Sequence, residues 1–330
     1  MNKLLKKSFQ VVLPFALGCF ILYWVYRDFD FSQVQDVLFR QMHWGWMLAS
    51  LVAGVFSHIF RGWRWKQTLE PLNEHPKSSN CVDAIFLSYA TNLVLPRVGE
   101  VSRCGVLAKY DKVSFGKSLG TVVTERLIDT LCIGIIAGLT LLLQMPIFNT
   151  FFRETGTKIP SFDHLLHTPW FYVSLFCVCG FVWIIYRLLR MLSFFEKVKG
   201  FALNMWEGIT SLKSVRNIPL FIAYTLAIWA CYYLHFYLTF FCFSFSEDLS
   251  WLAGLVMFVA GTVAVIVPTP NGAGPWHFAV ITMMMLYGVS ATDAAIFTLI
   301  VHGIQTLLVI VLGLWGWIHL QWRNRGVKLD

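Results

Sequence analysis

Residues 249–292 contain no Lys, Arg, Asp or Glu across 44 positions, and the block Pro268-Thr269-Pro270-Asn271-Gly272-Ala273-Gly274-Pro275 divides them into apolar arms of 19 and 17 residues. Hydrocarbon offers the backbone no water to bond. Broken helix at membrane depth is therefore tolerated only where protein or a wet cavity surrounds it. The chain has a second break of this kind at Leu95-Pro96-Arg97-Val98-Gly99-Glu100. Both mark places where something polar is handled.

The rest of the chain is written for lipid. Of its 330 residues 57% are hydrophobic and 13% charged, against about 25% charged in an average soluble domain. A helix of about 20 apolar residues crosses the hydrocarbon core. Runs of that length lie at 8–26, 41–60, 164–186, 217–246 and 294–322, with a sixth at 118–143 that carries Glu125, Arg126 and Asp129. The predicted fold class is all-α: a single polytopic transmembrane bundle over 1–330, with six full spans plus two Pro/Gly-broken hairpins. The count becomes eight if both arms of 249–292 cross. The stretch 81–108 reads as a re-entrant hairpin, since each arm is too short to span, Pro96 disfavours helix at Leu95, and Gly99 frees the reversal; an amphipathic helix lying on the membrane surface is the alternative.

Basic residues collect on the cytoplasmic side of bilayer proteins. With the N-terminus inside, segments 1–7, 61–117, 187–216 and 323–330 hold 21 of the 26 Lys and Arg. The expected setting is the inner membrane with both termini cytoplasmic, and the net charge of +8 is then mostly topology. The basic residues sit in short loops without a nucleic-acid-reading motif. Membrane lipid is the expected partner, with a second copy of the chain or a lipid-synthesis enzyme as candidate protein partners and no nucleic acid. The apolar N-terminal run has no small-x-small cleavage site before Arg27 and reads as a retained span. The eight Cys are scattered and form no metal-ligand spacing, Cys177-x-Cys179 being the one close pair; no metal or cofactor is expected.

The two broken regions relate to each other. A shift of 176 sets Ser114–Leu131 over Ser290–Leu307, with Arg126 over His302 and Asp129 over Gln305. Three predicted spans separate the hairpins, so the first opens from the cytoplasm and the second from outside. That arrangement matches the inverted repeat used by transporters whose broken helices meet at a central site; two unrelated Pro/Gly kinks are the alternative reading.

Candidate site residues follow from charge placement. Arg97, Glu100 and Arg103 are spaced three apart and fall on one helical face. Glu125, Arg126 and Asp129 enter the next span, where ionisable groups cost about 2.5–3.5 kcal/mol each and mark pathways. A structural ion-pair cluster near the helix end is the alternative reading of these three. Guanidinium binds phosphate bidentately, so an anion role is favoured for Arg97 and Arg103. On the second hairpin Asn271, Gly272, Gly274, His277 and His302 offer neutral donors and open amides, against a plain turn with core histidines.

The pattern Asn92-x-x-Leu95-Pro96-x-x-Gly99-Glu100-x-x-Arg103, then Glu125-Arg126-x-x-Asp129, then Pro268-x-Pro270-Asn271-Gly272-x-Gly274 resembles the lysylphosphatidylglycerol synthase transmembrane-region family, also called the flippase-like domain family, over roughly residues 8–320. The resemblance implies a domain that moves lipids between leaflets. For such a domain the expected substrate-binding residues are Asn92 with the charged and second-hairpin residues above, and Pro96, Gly99, Pro268, Pro270, Gly272 and Gly274 are the expected gating positions. The family follows its second block with an acidic residue, whereas this chain has Pro275-Trp276-His277. In relatives with a soluble aminoacyl-transferase domain the lipid is also aminoacylated. With the sequence ending at Asp330, that reaction is not expected of this chain.

The leading expectation is a lipid translocator for an anionic or headgroup-modified phospholipid or a polyprenyl-phosphate lipid. No GxxxxGK[ST] motif is present, so the drive is a gradient, a partner or mass action. Two other classes stand beside it. One is a membrane enzyme of lipid-linked sugar assembly, with Asp28 and Asp30 or Glu100 and Glu125 as acid/base groups. The other is a scaffold acting through surface residues such as Lys197 and Lys199.

Overall fold

The computed structural model describes residues 3–27, 29–95, 97–145 and 195–325. Asp28, Pro96, Arg153, Lys158, the expected span 164–186, Cys177-x-Cys179 and Lys328 lie outside the described residues. The described residues contain no strand, and their α-helices are α1 Lys3–Tyr26, α2 Ser32–Asp36, α3 Trp44–Leu69, α4 Ser78–Val94, α5 Gly99–Asp111, α6 Phe115–Leu143, α7 Phe195–Thr210, α8 Ile218–Tyr237, α9 Trp251–Ala264, α10 Pro275–Leu286 and α11 Ala291–Arg323. The protein is an all-helical membrane bundle. Helices α6, α8 with its extension to Cys242, and α11 are long and apolar enough to cross a bilayer. Their outward side chains are large and apolar, for instance Leu127 at 62%, Leu131 at 65% and Leu226 at 66% exposure, a surface suited to lipid contact.

Side-chain caps start the long helices. Ser114 and Ser290 oxygens accept the backbone N–H groups of Lys117 and Asp293, opening α6 and α11 at the two positions matched by the shift of 176. Asn217 and Ser250 do the same for α8 and α9. Each relieves an otherwise unbonded first-turn donor.

One end of the bundle gathers the C-termini of α3, α5 and α11 and the N-termini of α4, α6 and α8. Asn80 of α4 donates to Asp111 at the end of α5 at 3.0 Å, Lys77 to Asn324 beyond α11 at 3.2 Å, and Lys117 of α6 to the Leu72 carbonyl at 3.2 Å. The opposite end joins the start of α3 to the chain beyond α8 through His43 N–H and the Cys242 carbonyl at 2.9 Å, and the end of α10 to the end of α6 through Tyr287 and Gln144 at 3.1 Å. The first end carries Lys66, Lys77, Lys109, Lys112, Lys117, Arg216, Arg323 and Arg325 beside Glu70, Glu74, Asp111 and Glu207; the opposite end carries Asp30, Asp36, Glu247, Asp248 and Asp293 beside Arg27 and Arg40.

Two similar units emerge, α3–α4–α5–α6 and α8–α9–α10–α11. Each is a long helix, a broken pair and a second long helix, and the two run in opposite directions. With 17 and 13 residues, α4 and α5 reach about 25 and 20 Å; with 14 and 12, α9 and α10 reach about 21 and 18 Å, all short of the roughly 30 Å hydrocarbon core. Both ends of α9–α10 lie at the α6 C-terminal end of the bundle, so its arms form a returning pair.

The breaks have local causes. Leu95, before the proline, is extended (φ −129°, ψ 99°), as a following Pro demands. Gly99 starts α5 with no room for a side chain, because a Cβ would run into the Ser88 carbonyl. In the second break Asn271, Gly272 and Gly274 have φ of 51°, 70° and 93°, the last two in a region that glycine enters without Cβ strain.

One boundary differs from expectation. The span 41–60 is helix from Trp44 to Leu69, so Arg61 and Arg64 belong to a helix rather than a loop. Nothing in Arg61-Gly62-Trp63-Arg64-Trp65-Lys66-Gln67-Thr68-Leu69 breaks helix strongly, and Arg is a good helix former. Pro71 is the first proline beyond it.

Candidate functional site

Along α3 the residues Ser50, Gly54, Ser57, His58, Arg61, Arg64, Trp65 and Thr68 are all buried, a spacing of three and four that places them on one face. Helix α6 turns Glu125 and Asp129, one turn apart, toward that face. Arg61 Nη1 lies 2.8 Å from Asp129 Oδ2, and Arg64 Nη2 donates to both Glu125 Oε1 at 3.1 Å and Asp129 Oδ1 at 2.8 Å. From α5, Arg103 Nη2 pairs with Glu125 Oε2 at 2.6 Å, and its guanidinium carbon sits 4.5 Å from the Trp65 ring centre. Trp65 is held in turn by Nε1–H donation to Thr121 at 2.9 Å.

These five side chains are sealed: Arg61, Arg64, Arg103 and Glu125 are at most 2% exposed and Asp129 8%. Three cations face two anions, a formal excess of one positive charge. Arg64 Nε, both Arg103 Nη atoms and Glu125 Oε2 are buried without a hydrogen bond, so Arg103 and Glu125 meet as a close ion pair rather than through an aligned hydrogen bond. Polar groups of α4 and α8 finish it: Arg61 Nε donates to Tyr232 at 3.0 Å, Tyr232 shares a 2.6 Å bond with Tyr89, and Arg64 Nη1 reaches Thr225 at 3.3 Å.

The cluster opens at one edge. Arg126 Nη1 is 3.8 Å from Asp129, and its Nε is 4.0 Å from Glu100 Oε1, with side-chain exposures of 44% for Arg126 and 25% for Glu100. Its neighbours Leu127 and Leu131 are among the exposed apolar residues of α6.

The expected common face of Arg97, Glu100 and Arg103 is divided. Arg103 is inside the cluster, Glu100 is at its edge, and Arg97 stands before α5 in a left-handed conformation (φ 66°). Arg97 Nη2 donates 3.0 Å to the carbonyl of Ile266, two residues before Pro268. The tips of the two broken segments therefore touch. Asn92 plays a local part, its Oδ1 accepting the Gly99 N–H at 2.8 Å.

The second hairpin is a neutral network. Asn271 Nδ2 donates to Thr306 at 2.7 Å, His302 Nε2 donates to the Asn271 carbonyl at 3.1 Å, and the His277 and His302 rings lie 4.5 Å apart. The Gly274 N–H points at His277 Nδ1 at 3.4 Å; the two bonds fix each ring's tautomer. Pro268 is exposed and Pro270 half-buried, with Gly272 buried beneath Val265. Asp30 lies in the exposed loop before α2. The Ser32 backbone N–H and hydroxyl hold its carboxyl below the usual range, a turn-forming role.

Arg61, Arg64, Tyr89 and Tyr232 are the cluster members the sequence reading overlooked. A signal existed for the two arginines: the three-and-four spacing of small and polar residues from Ser50 to Thr68 continues through both without a change of period.

A family model described as "Lysylphosphatidylglycerol synthase TM region" matches residues 11–313. Among curated proteins, a glycosyltransferase, AglD of Haloferax volcanii, is 32% identical over 94 residues, which cover 28% of this chain and 15% of that protein. The chain thus aligns with less than a fifth of that relative. No solved structure matches.

Proposed function

The chain belongs to the lysylphosphatidylglycerol synthase TM-region family, and from that premise we propose that it translocates an anionic or headgroup-modified phospholipid, or a polyprenyl-phosphate lipid, across the cell's inner membrane. In this reading the basic end is cytoplasmic, both termini lie there, and the broken pairs are re-entrant hairpins entering from opposite faces. The observation that carries it is the buried cluster with one positive charge in excess, reaching the lipid-facing surface at Arg126 and Glu100.

A phosphate at that edge meets Arg126 directly and the positive potential of Arg61, Arg64 and Arg103 from behind. Low dielectric makes that potential felt. Glu125 and Asp129 hold the buried arginines in place, and Glu100 either releases Arg126 to the phosphate or pairs with a cationic headgroup. The Arg97–Ile266 contact ties the hairpin tips together, so it is placed to gate; Asn271, His277 and His302 shape the far side of the passage. Broken helices meeting from two inverted halves are a recurring way to expose one site alternately to two sides.

The test is labelled phospholipid or polyprenyl-phosphate crossing in reconstituted liposomes. Wild-type protein accelerates crossing and Arg126→Ala does not. Equal rates for the two, at the protein-free background, overturn the reading.

The likeness to a glycosyltransferase over 94 residues favours one second reading, a membrane enzyme or accessory subunit in lipid-linked sugar assembly. It requires product from a radiolabelled polyprenyl-phosphate sugar with purified protein, a result translocation alone does not give.

A further inference from the structure

A groove of about 550 Å³ opens at the basic end between the last turns of α3, the start of α4 and the start of α8, away from the Arg126 edge. Its walls include Trp63, Lys66, Gln67, Glu70, Arg216 and Tyr224. Thr225, next to Tyr224, bonds Arg64 of the buried cluster, so the groove lies one layer outside the cluster and shares no residue with it.

An aromatic ridge leads into this groove along the outer side of α3. Phe56 and Phe60 are stacked at 6.0 Å, Phe60 and Trp63 meet edge-on at 5.7 Å, and Tyr224 of α8 lies 6.1 Å from Phe60 and 5.9 Å from Trp63. Phe56 is 47% and Trp63 38% exposed. The ridge also has a definite depth. Trp44 and Trp63 are separated by about 29 Å along the helix, close to the thickness of the hydrocarbon core, a spacing that suits a pair of interfacial Trp residues. Lys66, nearly one turn beyond Trp63, is then at headgroup level.

The polar lining is mixed. Lys66 Nζ bonds Ser78 at 3.1 Å and lies 3.7 Å from Glu70. Arg216 is exposed and has no carboxylate partner among the described residues. Two cations thus face one anion, which suits a phosphate. The Gln67 Oε1 is buried without a hydrogen-bond donor, and with Glu70 it adds two acceptors for a headgroup that carries N–H or O–H.

We propose that this groove binds a phospholipid of the leaflet at the basic end, its phosphate on Lys66 and Arg216, its ethanolamine or glycerol donors toward Gln67 and Glu70, and one acyl chain along Phe56, Phe60 and Trp63. Choline, which lacks such donors, is disfavoured. The site is independent of transport, and it stands or falls separately from the translocator reading.

The test uses the full chain in nanodiscs with phosphatidylethanolamine, phosphatidylglycerol or phosphatidylcholine carrying a diazirine on the acyl chain, the crosslinks being mapped by peptide mass spectrometry. Labelling of 56–67 and 216–224 by the first two lipids exceeds that by phosphatidylcholine. Arg216→Gln, at an exposed position, lowers it about tenfold, the factor for a lost charge-assisted bond of roughly 1.4 kcal/mol, and Lys109→Gln leaves it unchanged. Equal labelling by all three lipids, or no loss in Arg216→Gln, overturns the proposal. Glycerophosphoethanolamine, which has the headgroup without acyl chains, competes weakly; competition equal to that of intact lipid would instead assign the groove to a soluble phosphodiester.

Discussion

Arg103 and Glu125 form a 2.6 Å ion pair with both side chains no more than 1% exposed, and they come from different helices, α5 and α6. The pair fastens the first hairpin to the long helix that follows it. Glu125 also receives Arg64 from α3, so one carboxylate links three helices.

Removing that carboxylate leaves two buried guanidiniums without it. A broken buried pair costs about 3–5 kcal/mol, whereas replacing the whole pair with apolar groups is far milder. Glu125→Ala is therefore expected to lower the melting temperature of detergent-solubilised protein strongly, and Arg103→Met combined with Glu125→Leu to recover part of the loss. A double variant less stable than Glu125→Ala would contradict this account.

Arg64 bonds two carboxylates through Nη2 and Thr225 through Nη1. Lysine has no planar fork to divide in this way. Arg64→Lys should cost about 2 kcal/mol, the scale of a lost charge-assisted hydrogen bond, despite the retained charge. Urea or thermal denaturation against Arg323→Lys, near the bundle surface, measures the difference.

Gly99 and Gly105 lie on the same helix with opposite surroundings: a Cβ at 99 meets the Ser88 carbonyl, and at 105 meets nothing within 4 Å. Gly99→Ala should cost about 1–3 kcal/mol as an overpacked contact, and Gly105→Ala should be neutral or stabilising by up to about 1 kcal/mol. Paired thermal-shift measurements decide the order.

Arg97→Gly keeps the left-handed turn available while deleting the bond to Ile266. If the tip contact favours one conformational state, its loss changes lipid crossing by a factor of about 5 or more, the range of coupling energies of 1–3 kcal/mol, with little change in melting temperature. A crossing rate equal to wild type removes the contact from the gate.

Asp83 of α4 is 3% exposed in its side chain and lies 2.7 Å from His319 Nδ1 of α11. Asp83→Ala should destabilise the bundle by about 1–3 kcal/mol through the lost partner, and His319→Gln, which retains a donor, should cost less. Denaturation midpoints for the two variants compare them.

Much of the architecture is legible in the chain because its signals are local. Uncharged runs mark α8 and α11, a run interrupted only by Glu125, Arg126 and Asp129 marks α6, and the two Pro/Gly blocks mark the breaks. The shift of 176 places the capping serines Ser114 and Ser290 in register. The α3 boundary was less legible: composition changes at Arg61, whereas the helix period does not, and hydropathy follows the former. The division of Arg97 from Arg103 was hidden for another reason. Spacing by three implies one face only if a helix already runs through Arg97, and the break places that residue in a left-handed turn.

The sequence alone determined that this is a helical membrane protein of the lysylphosphatidylglycerol synthase TM-region family, and where its helices must stop, because solvation and backbone sterics act within a few residues. Only the tertiary structure decided which charges meet. Arg61 and Asp129, or Arg97 and Ile266, are 68 and 169 positions apart, and burying a charge is tolerable only beside its partner. The identity of each partner is thus a property of how α3, α5, α6 and the two hairpin tips pack.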